Sequence, residues 1–244
     1  MNKAMTHMFR VLLPLVLLVA GCSKMDEGRV ADNDPYGYIN YNGSVLKEDL
    51  LAVATLRSQD GIRFLRLDPK SVGYVLNPGD VADIPDGTRV FVQYKEVSEE
   101  RPDFCTESVW VDWATPLDVG SMSFLGFEES YSNEAFLATA PVDLNQDWIT
   151  SLEDGFLTLH YTIPASGESK HSFTLFRSWA AGYHFYLVHD AHGDTGGSLT
   201  DGIVCFPVEN LLPDTGGETV TVSLTYLNLK NTPTTLTVDY RTQK

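Results

Sequence analysis

The 244-residue chain is 43% hydrophobic and 20% charged, a composition typical of folded globular domains rather than of disordered or fibrous proteins. Its formal net charge of −16 at pH 7 argues against nucleic acid as a partner and against electrostatic attachment to anionic lipid surfaces. The length predicts one large domain or two modest domains, each with a hydrophobic core.

The first segment of the chain is predicted to be a targeting signal. Lys3 and Arg10 precede an apolar run over residues 11–20. This run is too short to cross a bilayer as a helix, and it has the length of the apolar part of a secretory signal. The small residues at the end of the run and Gly21 directly precede Cys22.

This junction resembles the lipobox of bacterial lipoproteins, in which the signal is cleaved before the cysteine and the cysteine sulfur is then diacylated. The resemblance implies that residues 1–21 are a signal peptide and that Cys22 carries lipid. The membrane is then a partner through this lipid, because several acyl chains bind more firmly than the single chain that gives only marginal attachment. The alternative is an ordinary signal peptide with a chance cysteine at the cleavage site.

Residues 22–35 are polar and lack a hydrophobic period, which predicts a flexible tether. Within it, Lys24 followed by Asp26 and Glu27 resembles the lysine-then-acidic export signal of Bacteroidota lipoproteins, and Met25 interrupts that pattern. The resemblance implies a lipid-anchored protein of the outer membrane that is exposed at the cell surface. The alternative is a solvated linker.

Strand-like runs predict a first domain over residues 36–130. Leu50–Arg57 and Ile62–Asp68 form a predicted hairpin, because Asp60 and Gly61 between them tolerate positive φ. Three further runs follow at Tyr74–Leu76, Val90–Tyr94 and Val109–Trp113. Five short strands without a convincing helical period favour a small barrel, for which the five-stranded OB-fold is a common solution.

The second predicted domain covers residues 131–244 and shows a cleaner alternation of apolar and polar residues. Such alternation predicts strands with one buried and one wet face, as in an antiparallel sandwich. The runs are Leu157–Ile163, His171–Arg177, Tyr183–His189, Ile203–Pro207, Val220–Tyr226 and Leu236–Tyr240. The predicted fold class is therefore all-β, with an N-terminal five-stranded OB-like barrel followed by a C-terminal antiparallel β-sandwich.

The chain after the signal resembles the NigD-like family of Bacteroidota lipoproteins. The resemblance rests on the lipobox, the tether and four segments, VLNPGDVADIPDGTRVFVQYKEV (75–97), DWITSLEDGFLTLHYTIP (147–164), KHSFTLF (170–176) and YHFYLVHDAHGD (183–194). It implies an OB-like domain and a β-sandwich domain. It also implies an envelope protein for which a role in bacteriocin immunity has been proposed, and it supplies no catalytic residues.

Two cysteines remain once Cys22 is assigned to lipidation. In an exported protein Cys105 and Cys205 can form a disulfide. Each also lies beside strand-like sequence, where a free cysteine packs as a small apolar residue. Both interpretations stay open at this point, and no CxxC spacing suggests a zinc site.

The second domain is rich in histidine, and imidazole with carboxylate is a donor set for transition metals. Strand geometry places most of these side chains on different faces. A local cluster is left at His189, Asp190, His192 and Asp194, at a strand end and in the following loop. A polar loop with hydrogen-bonded histidines is favoured there over a metal site.

A second candidate metal site follows the spacing of a calcium loop. Asp143, Asn145, Asp147 and Asp154 stand at positions one, three, five and twelve of that loop. Trp148 occupies the position that needs glycine for the sharp turn, and Asp154 replaces the usual final Glu. A polar interdomain linker is favoured over calcium binding.

The sequence contains none of the common catalytic or cofactor motifs GxSxG, HExxH, GxxxxGK or GxGxxG. It therefore predicts no enzyme, no cofactor and no metal. The alternative is a hydrolase whose carboxylates or histidines come from distant strands, because sequence spacing does not reveal such a site. OB barrels bind oligosaccharides on one face, and Trp110 lies opposite Val109, Val111 and Trp113 in the strand pattern. Trp110 is the candidate for stacking on a ligand, and burial of both tryptophans is favoured over this interpretation because large aromatic side chains mostly serve cores.

The predicted function is that of a lipid-anchored, non-enzymatic protein of the cell envelope, with a binding or protective role such as bacteriocin immunity. Its partner is an unidentified protein or glycan. The alternative is an accessory glycan-binding or protein-binding surface lipoprotein of a polysaccharide-uptake or adhesion system.

Overall fold

The computed structural model describes residues 49–124, 139–178 and 182–242. Within these ranges the regular structure consists of strands and one short 3-10 turn. The strands form a closed five-stranded barrel followed by two further sheets. The predicted all-β class is confirmed.

The first five strands form the barrel. Their bounds are β1 (Leu50–Gln59), β2 (Ile62–Arg66), β3 (Val72–Val75), β4 (Thr88–Val97) and β5 (Glu107–Pro116). They are hydrogen-bonded in the order β1-β2-β3-β5-β4, and β4 pairs again with β1. The β3–β5 pair is parallel and the other pairs are antiparallel. This arrangement confirms the predicted five-stranded OB-like barrel.

Alternating apolar side chains fill the barrel, as the period of two in the sequence predicts. The fully buried residues include Leu56, Leu65, Val90, Val92 and Val109. The 3-10 turn at Pro78–Val81 adds Val81 to the same core. Burying a side chain of this size contributes roughly 1.5–3 kcal/mol, so the barrel core is a large part of the stability of this domain.

The predicted hairpin between β1 and β2 is confirmed. Gln59 pairs with Ile62, which leaves Asp60 and Gly61 as a two-residue turn with φ values of 52° and 79°. Positive φ at both positions is required by the turn whose twist matches the right-handed twist of the strands. Aspartate and glycine tolerate this conformation, which is why the pair was informative in the sequence.

The remaining ten strands in the described ranges form two packed sheets. They are β6 (Asp118–Val119), β7 (Ser121–Phe124), β8 (Asp143–Asn145), β9 (Ser151–Glu153), β10 (Phe156–Ala165), β11 (Ser172–Arg177), β12 (His184–Asp190), β13 (Ser198–Pro207), β14 (Val220–Leu227) and β15 (Pro233–Tyr240). One sheet has the order β6-β13-β10-β8, with β9 also paired to β10. The other sheet has the order β15-β14-β12-β11-β7.

Side chains from the two sheets form one hydrophobic core, which confirms the predicted β-sandwich. Phe206 on β13 and Phe185 on β12 are the largest of its fully buried side chains. The pairing is not purely antiparallel, however, because the pairs β6–β13, β7–β11 and β12–β14 are parallel. The sandwich is therefore mixed, and the prediction of an antiparallel sandwich is corrected in this detail.

The change from barrel to sandwich comes earlier than the predicted boundary near residue 130. Strand β5 ends at Pro116, and β6 and β7 already pair with the sandwich strands β13 and β11. The sandwich sheets therefore begin at Asp118. The predicted signal peptide, the tether and the residues around 130 lie outside the described ranges.

Candidate functional site

An irregularity in strand β5 brings a tryptophan to the outer face of the barrel. Gln93 on β4 pairs with Trp113, and the next residue, Tyr94, pairs with Val111. Asp112 therefore has no residue opposite it on β4 and forms a β-bulge. A bulge reverses the alternation of side chains beyond it. Trp113 therefore points outward, whereas Ala114 packs against the barrel core.

Trp113 is held in place on this face. Its indole Nε1–H donates a hydrogen bond to Oε1 of Gln93. Its ring lies 5.5 Å from the ring of Phe91, measured between centroids. With 39% of its surface exposed, Trp113 offers a fixed aromatic face to solvent.

A second exposed tryptophan comes from the sandwich. Trp148 lies in the loop between β8 and β9, is 57% exposed and stacks on Phe91 with ring centroids 6.1 Å apart and planes inclined by 25°. Leu51, which is 38% exposed, pairs with Gln93 on the other side of β4. We call Leu51, Phe91, Trp113 and Trp148 the aromatic surface.

The loop that carries Trp148 is fixed on both sides of this residue. The Asp147 carboxylate lies 2.6 Å from Nδ1 of His160, and it also accepts a hydrogen bond from the Ile149 backbone N–H at 3.0 Å. The Ile149 side chain is buried. The position of Trp148 is therefore set by the sandwich, and its ring contact with Phe91 joins the two domains.

A buried arginine lies between the two domains. Arg89 on β4 is 2% exposed and donates to the hydroxyls of Thr55 at 3.1 Å and Thr158 at 3.4 Å. Its guanidinium lies 3.6 Å from the Glu153 carboxylate. Burial raises the pKa of Glu153 by more than the neighbouring Arg89 lowers it.

The next residue of the sandwich extends this contact to two more arginines of the barrel. Asp154 forms ion pairs with Arg57 at 3.1 Å and with Arg66 at 3.7 Å. Its φ of 47°, followed by a φ of 80° at Gly155, marks the tight turn between β9 and β10 that presents the carboxylate. We call Arg57, Arg66, Arg89, Glu153 and Asp154 the interdomain ion-pair cluster.

The sandwich is the part of the chain that similarity identifies. Residues 123–240 match the model of the NigD-like C-terminal beta sandwich domain. Because of this similarity we call this part of the chain the NigD-like domain. The resemblance to the NigD-like family that the sequence predicts is confirmed.

Solved structures share the fold over the barrel and the NigD-like domain. A protein from Parabacteroides distasonis described as toxin-related is 21% identical, with a TM-score of 0.64 over 80% of this chain and 94% of that chain. A NigD-like immunity protein from Bacteroides caccae is 18% identical, with a TM-score of 0.53 over 81% and 99%. A Bacteroides fragilis protein described as a lipoprotein is 10% identical, with a TM-score of 0.53 over 81% and 100%. No curated protein matches the chain.

Two histidines of the NigD-like domain, His171 and His189, form a buried chain of contacts that ends at Asp194. The carbonyl oxygen of Pro141 accepts from Nδ1 of His189 at 3.1 Å, so Nε2 of His189 is left to accept from Nδ1 of His171 at 2.8 Å. Nε2 of His171 lies 3.6 Å from the Asp194 carboxylate. Burial lowers the pKa of His189 to about 4.

Asp194 organises the turn between β10 and β11. Its carboxylate accepts hydrogen bonds from the backbone N–H and hydroxyl of Ser166 and from the backbone N–H groups of Gly167 and Glu168. These bonds, led by that of the Ser166 backbone, hold the pKa of Asp194 well below its ordinary value. In the predicted cluster, His189 is buried, whereas Asp190 and His192 are exposed and contact each other.

The four residues of the predicted calcium-loop spacing each have a different partner. Asp143 accepts from the Leu229 backbone N–H, and Asn145 donates to the Thr162 hydroxyl. Asp147 contacts His160, and Asp154 belongs to the interdomain ion-pair cluster. Across the described ranges, no three His, Cys, Asp or Glu side chains are arranged to hold a metal ion.

The structure decides between the two interpretations of the cysteines. Cys105 and Cys205 are both free and buried, so of the two open interpretations the structure shows the free thiols and not the disulfide. Cys105 precedes β5 of the barrel, whereas Cys205 is on β13 of the NigD-like domain. Burial raises the pKa of Cys205 to about 11, so this thiol is protonated at neutral pH and unreactive.

Trp110, the tryptophan predicted to stack on a ligand, is half-buried and pairs across the strands with Lys95. The strongly exposed tryptophans are instead Trp113 and Trp148. A regular alternation would place Trp113 on the same face as the core residues Val109 and Val111. The bulge at Asp112 interrupts this alternation, so Trp113 lies on the outer face instead. Trp148 could have been found in the sequence as an indole among polar loop residues.

Cys22, the predicted lipidation site, lies outside the described ranges. Across those ranges, no helix is both long enough and apolar enough to cross a membrane. Attachment through the lipid therefore stays a prediction of the sequence.

Proposed function

We propose that this protein is a lipid-anchored, non-enzymatic protein of the cell envelope that binds a toxin and gives immunity to it. The observation that carries the proposal is the aromatic surface. Trp113 and Trp148 are exposed, yet each is fixed by neighbouring residues, and the ring of Phe91 lies between them. Exposed and immobilised aromatic side chains are typical of recognition sites, because little conformational entropy is lost on binding.

The positions of the strongly perturbed ionisable groups support binding rather than catalysis. Perturbed groups in a cleft are candidates for catalytic residues. Here His189 is buried in the sandwich, Asp194 is occupied by the backbone of a turn, and Glu153 faces Arg89 between the domains. Burial explains the shifted pKa values of His189 and Glu153, and hydrogen bonds from the turn explain the lowered pKa of Asp194.

The placement in the envelope is supported by the sequence before the barrel and by one similar protein. The apolar run before Cys22 and the polar tether after it fit a lipidated, surface-exposed protein of the outer membrane. The similar Bacteroides fragilis protein is described as a lipoprotein. We propose the same attachment for this chain, through Cys22.

The immunity role is supported by what two similar proteins are called. One is described as toxin-related and one as a NigD-like immunity protein. Deleting the gene is expected to raise the sensitivity of its host to a bacteriocin encoded nearby, and the intact gene is expected to restore resistance. The measurement is the toxin concentration that halves growth. Unchanged sensitivity to every neighbouring toxin would contradict the role.

The double substitution Trp113→Ala and Trp148→Ala tests whether the aromatic surface gives this resistance, with Trp110→Ala as the matched control. It is expected to fail in restoring resistance although the protein reaches the membrane in normal amounts. Trp110→Ala, a substitution on the same strand outside the aromatic surface, is expected to restore resistance. Equal resistance from both variants would show that the aromatic surface is not the recognition site.

A second candidate function is glycan binding in a polysaccharide-uptake or adhesion system. It is favoured by the same observation, since exposed indoles also stack on sugar rings. Neutral oligosaccharides that bind the protein and protect Trp113 and Trp148 from quenching would support it. Absence of binding across a broad glycan array would remove it.

A further inference from the structure

We propose that the aromatic surface binds a cationic, amphipathic peptide segment. This inference rests on the proposed binding function and names the chemistry of the partner. Three features of the aromatic surface support this inference, namely its exposed rings, the charges beside the rings and the area of the surface.

The rings supply faces for cations and for apolar side chains. The Trp113–Phe91 and Phe91–Trp148 centroid distances place the two indoles no more than about 12 Å apart. An indole face attracts Lys and Arg side chains, with a strength that rises as water is excluded. Leu51 adds an aliphatic contact at the barrel end of the surface.

The charges beside the rings favour a cationic partner. Asp112 directly precedes Trp113, and Asp147 directly precedes Trp148. The nearby cation, Lys95, is already paired with Asp112 at 2.7 Å and with Asp49 at 3.0 Å. Two carboxylates therefore surround one ammonium group, and the chain as a whole carries a net charge of −16.

The Asp147 carboxylate retains capacity to accept further hydrogen bonds. Asp147 is exposed and contacts His160 and the Ile149 backbone N–H. An ionised carboxylate has about four lone-pair positions, so a Lys or Arg side chain of a partner can be added to these contacts. A neutral sugar would gain little from this charge, and an anionic partner would be repelled.

The area of the surface fits a short segment better than a large protein interface. The exposed parts of Trp113 and Trp148 together amount to on the order of 250 Å². A specific interface between two folded proteins buries about 800 Å² on each partner. The aromatic surface is therefore large enough for a few side chains of an extended or helical peptide.

The test uses the full-length lipoprotein in neutral detergent and a synthetic peptide of alternating Lys and Leu residues. The peptide is expected to quench tryptophan fluorescence saturably, and its affinity is expected to fall as salt is raised. Trp113→Ala and Trp148→Ala are each expected to weaken binding about tenfold. Asp147→Asn is expected to weaken it severalfold and to reduce the dependence on salt.

Two controls separate recognition from general attraction to an acidic protein. Asp60→Asn removes the same charge at the hairpin turn, at the far end of β1 from Leu51, and is expected to leave the affinity unchanged within twofold. A peptide of alternating Glu and Leu residues is expected not to bind. Equal loss of affinity in Asp60→Asn and Asp147→Asn would overturn the inference.

The outcomes also distinguish this inference from the proposed function. If the Lys and Leu peptide binds the Trp113→Ala and Trp148→Ala variants as well as it binds the wild type, the inference is wrong. That result leaves the proposed immunity role standing. If neutral oligosaccharides bind in place of the peptide, the partner is a glycan. If the wild-type protein binds the peptide but deletion of its gene leaves the sensitivity to every neighbouring toxin unchanged, the inference stands and the proposed role is wrong.

Discussion

Arg89→Met is expected to lower the free energy of unfolding by about 3 kcal/mol or more. Methionine keeps most of the volume of the side chain but removes the guanidinium. The fully buried hydroxyls of Thr55 and Thr158 then lose their partner, and the Glu153 carboxylate loses its nearby cation. Urea unfolding monitored by tryptophan fluorescence measures the loss.

The neighbouring pair of Arg57 and Asp154 supplies the matched control. The Arg57 side chain is 35% exposed, so its ion pair is solvated and is expected to contribute less than about 1 kcal/mol. Arg57→Met should therefore unfold close to wild type. If Arg89→Met lost no more stability than Arg57→Met, the buried guanidinium would not be what joins the barrel to the sandwich.

Unfolding of Arg89→Met is also expected to become less cooperative. The wild-type domains share the interdomain ion-pair cluster and the stacking of Phe91 on Trp148. Without the central arginine, the barrel and the sandwich should unfold in separate steps that different probes resolve. A single coincident transition at a lower urea concentration would indicate that the remaining contacts are sufficient.

The protein is expected to lose stability as the pH falls from about 6.5 to about 4, by on the order of 3 kcal/mol from His189 alone. Burial lowers the folded-state pKa of His189 to about 4, whereas its unfolded-state value is near 6.5. Between these values the unfolded chain binds more protons than the folded one. Stability is therefore fully present above the window and lost within it.

The groups around His189 determine how the experiment must be controlled. Its ring contacts His171, the Pro141 carbonyl and the ring of Phe173. Glu153, whose pKa burial raises, acts with the opposite sign, and this contribution is the same in a variant that changes His189 alone. The relevant quantity is thus the difference between wild type and His189→Gln.

Urea unfolding at pH steps between 4 and 7 measures this difference. The slope of stability against pH is expected to be clearly smaller in His189→Gln, even though the variant is less stable at neutral pH. His192→Gln, a change of an exposed histidine three residues away, should keep the wild-type slope. An unchanged slope in His189→Gln would show that the titration of another group causes the acid sensitivity.

Much of the fold can be predicted because burial of one sheet face leaves a period of two in the sequence. This period predicts the long strands β1, β4, β10 and β14, and Asp60 with Gly61 predicts the first hairpin. Short strands leave too few residues for such a pattern. Strands β6, β7, β8 and β9 were therefore missed, and with them the early start of the sandwich.

The candidate site was less accessible to sequence reasoning, because it depends on contacts between distant residues. Arg57 and Asp154 are 97 positions apart, and Arg89 and Thr158 are 69 positions apart. No local pattern marks these pairs. The bulge at Asp112 also leaves no local pattern in the sequence. This one extra residue moves Trp113 to the face opposite that of the core residues before it.

The central claim is that the folded domains are held at the envelope by lipid on one cysteine. Growing cells with labelled palmitate and isolating the protein tests this claim most directly. We predict that the label enters the wild-type protein and is absent from Cys22→Ser, irrespective of where the uncleaved variant resides. Label retained by Cys22→Ser, or no label in the wild type, would contradict the account.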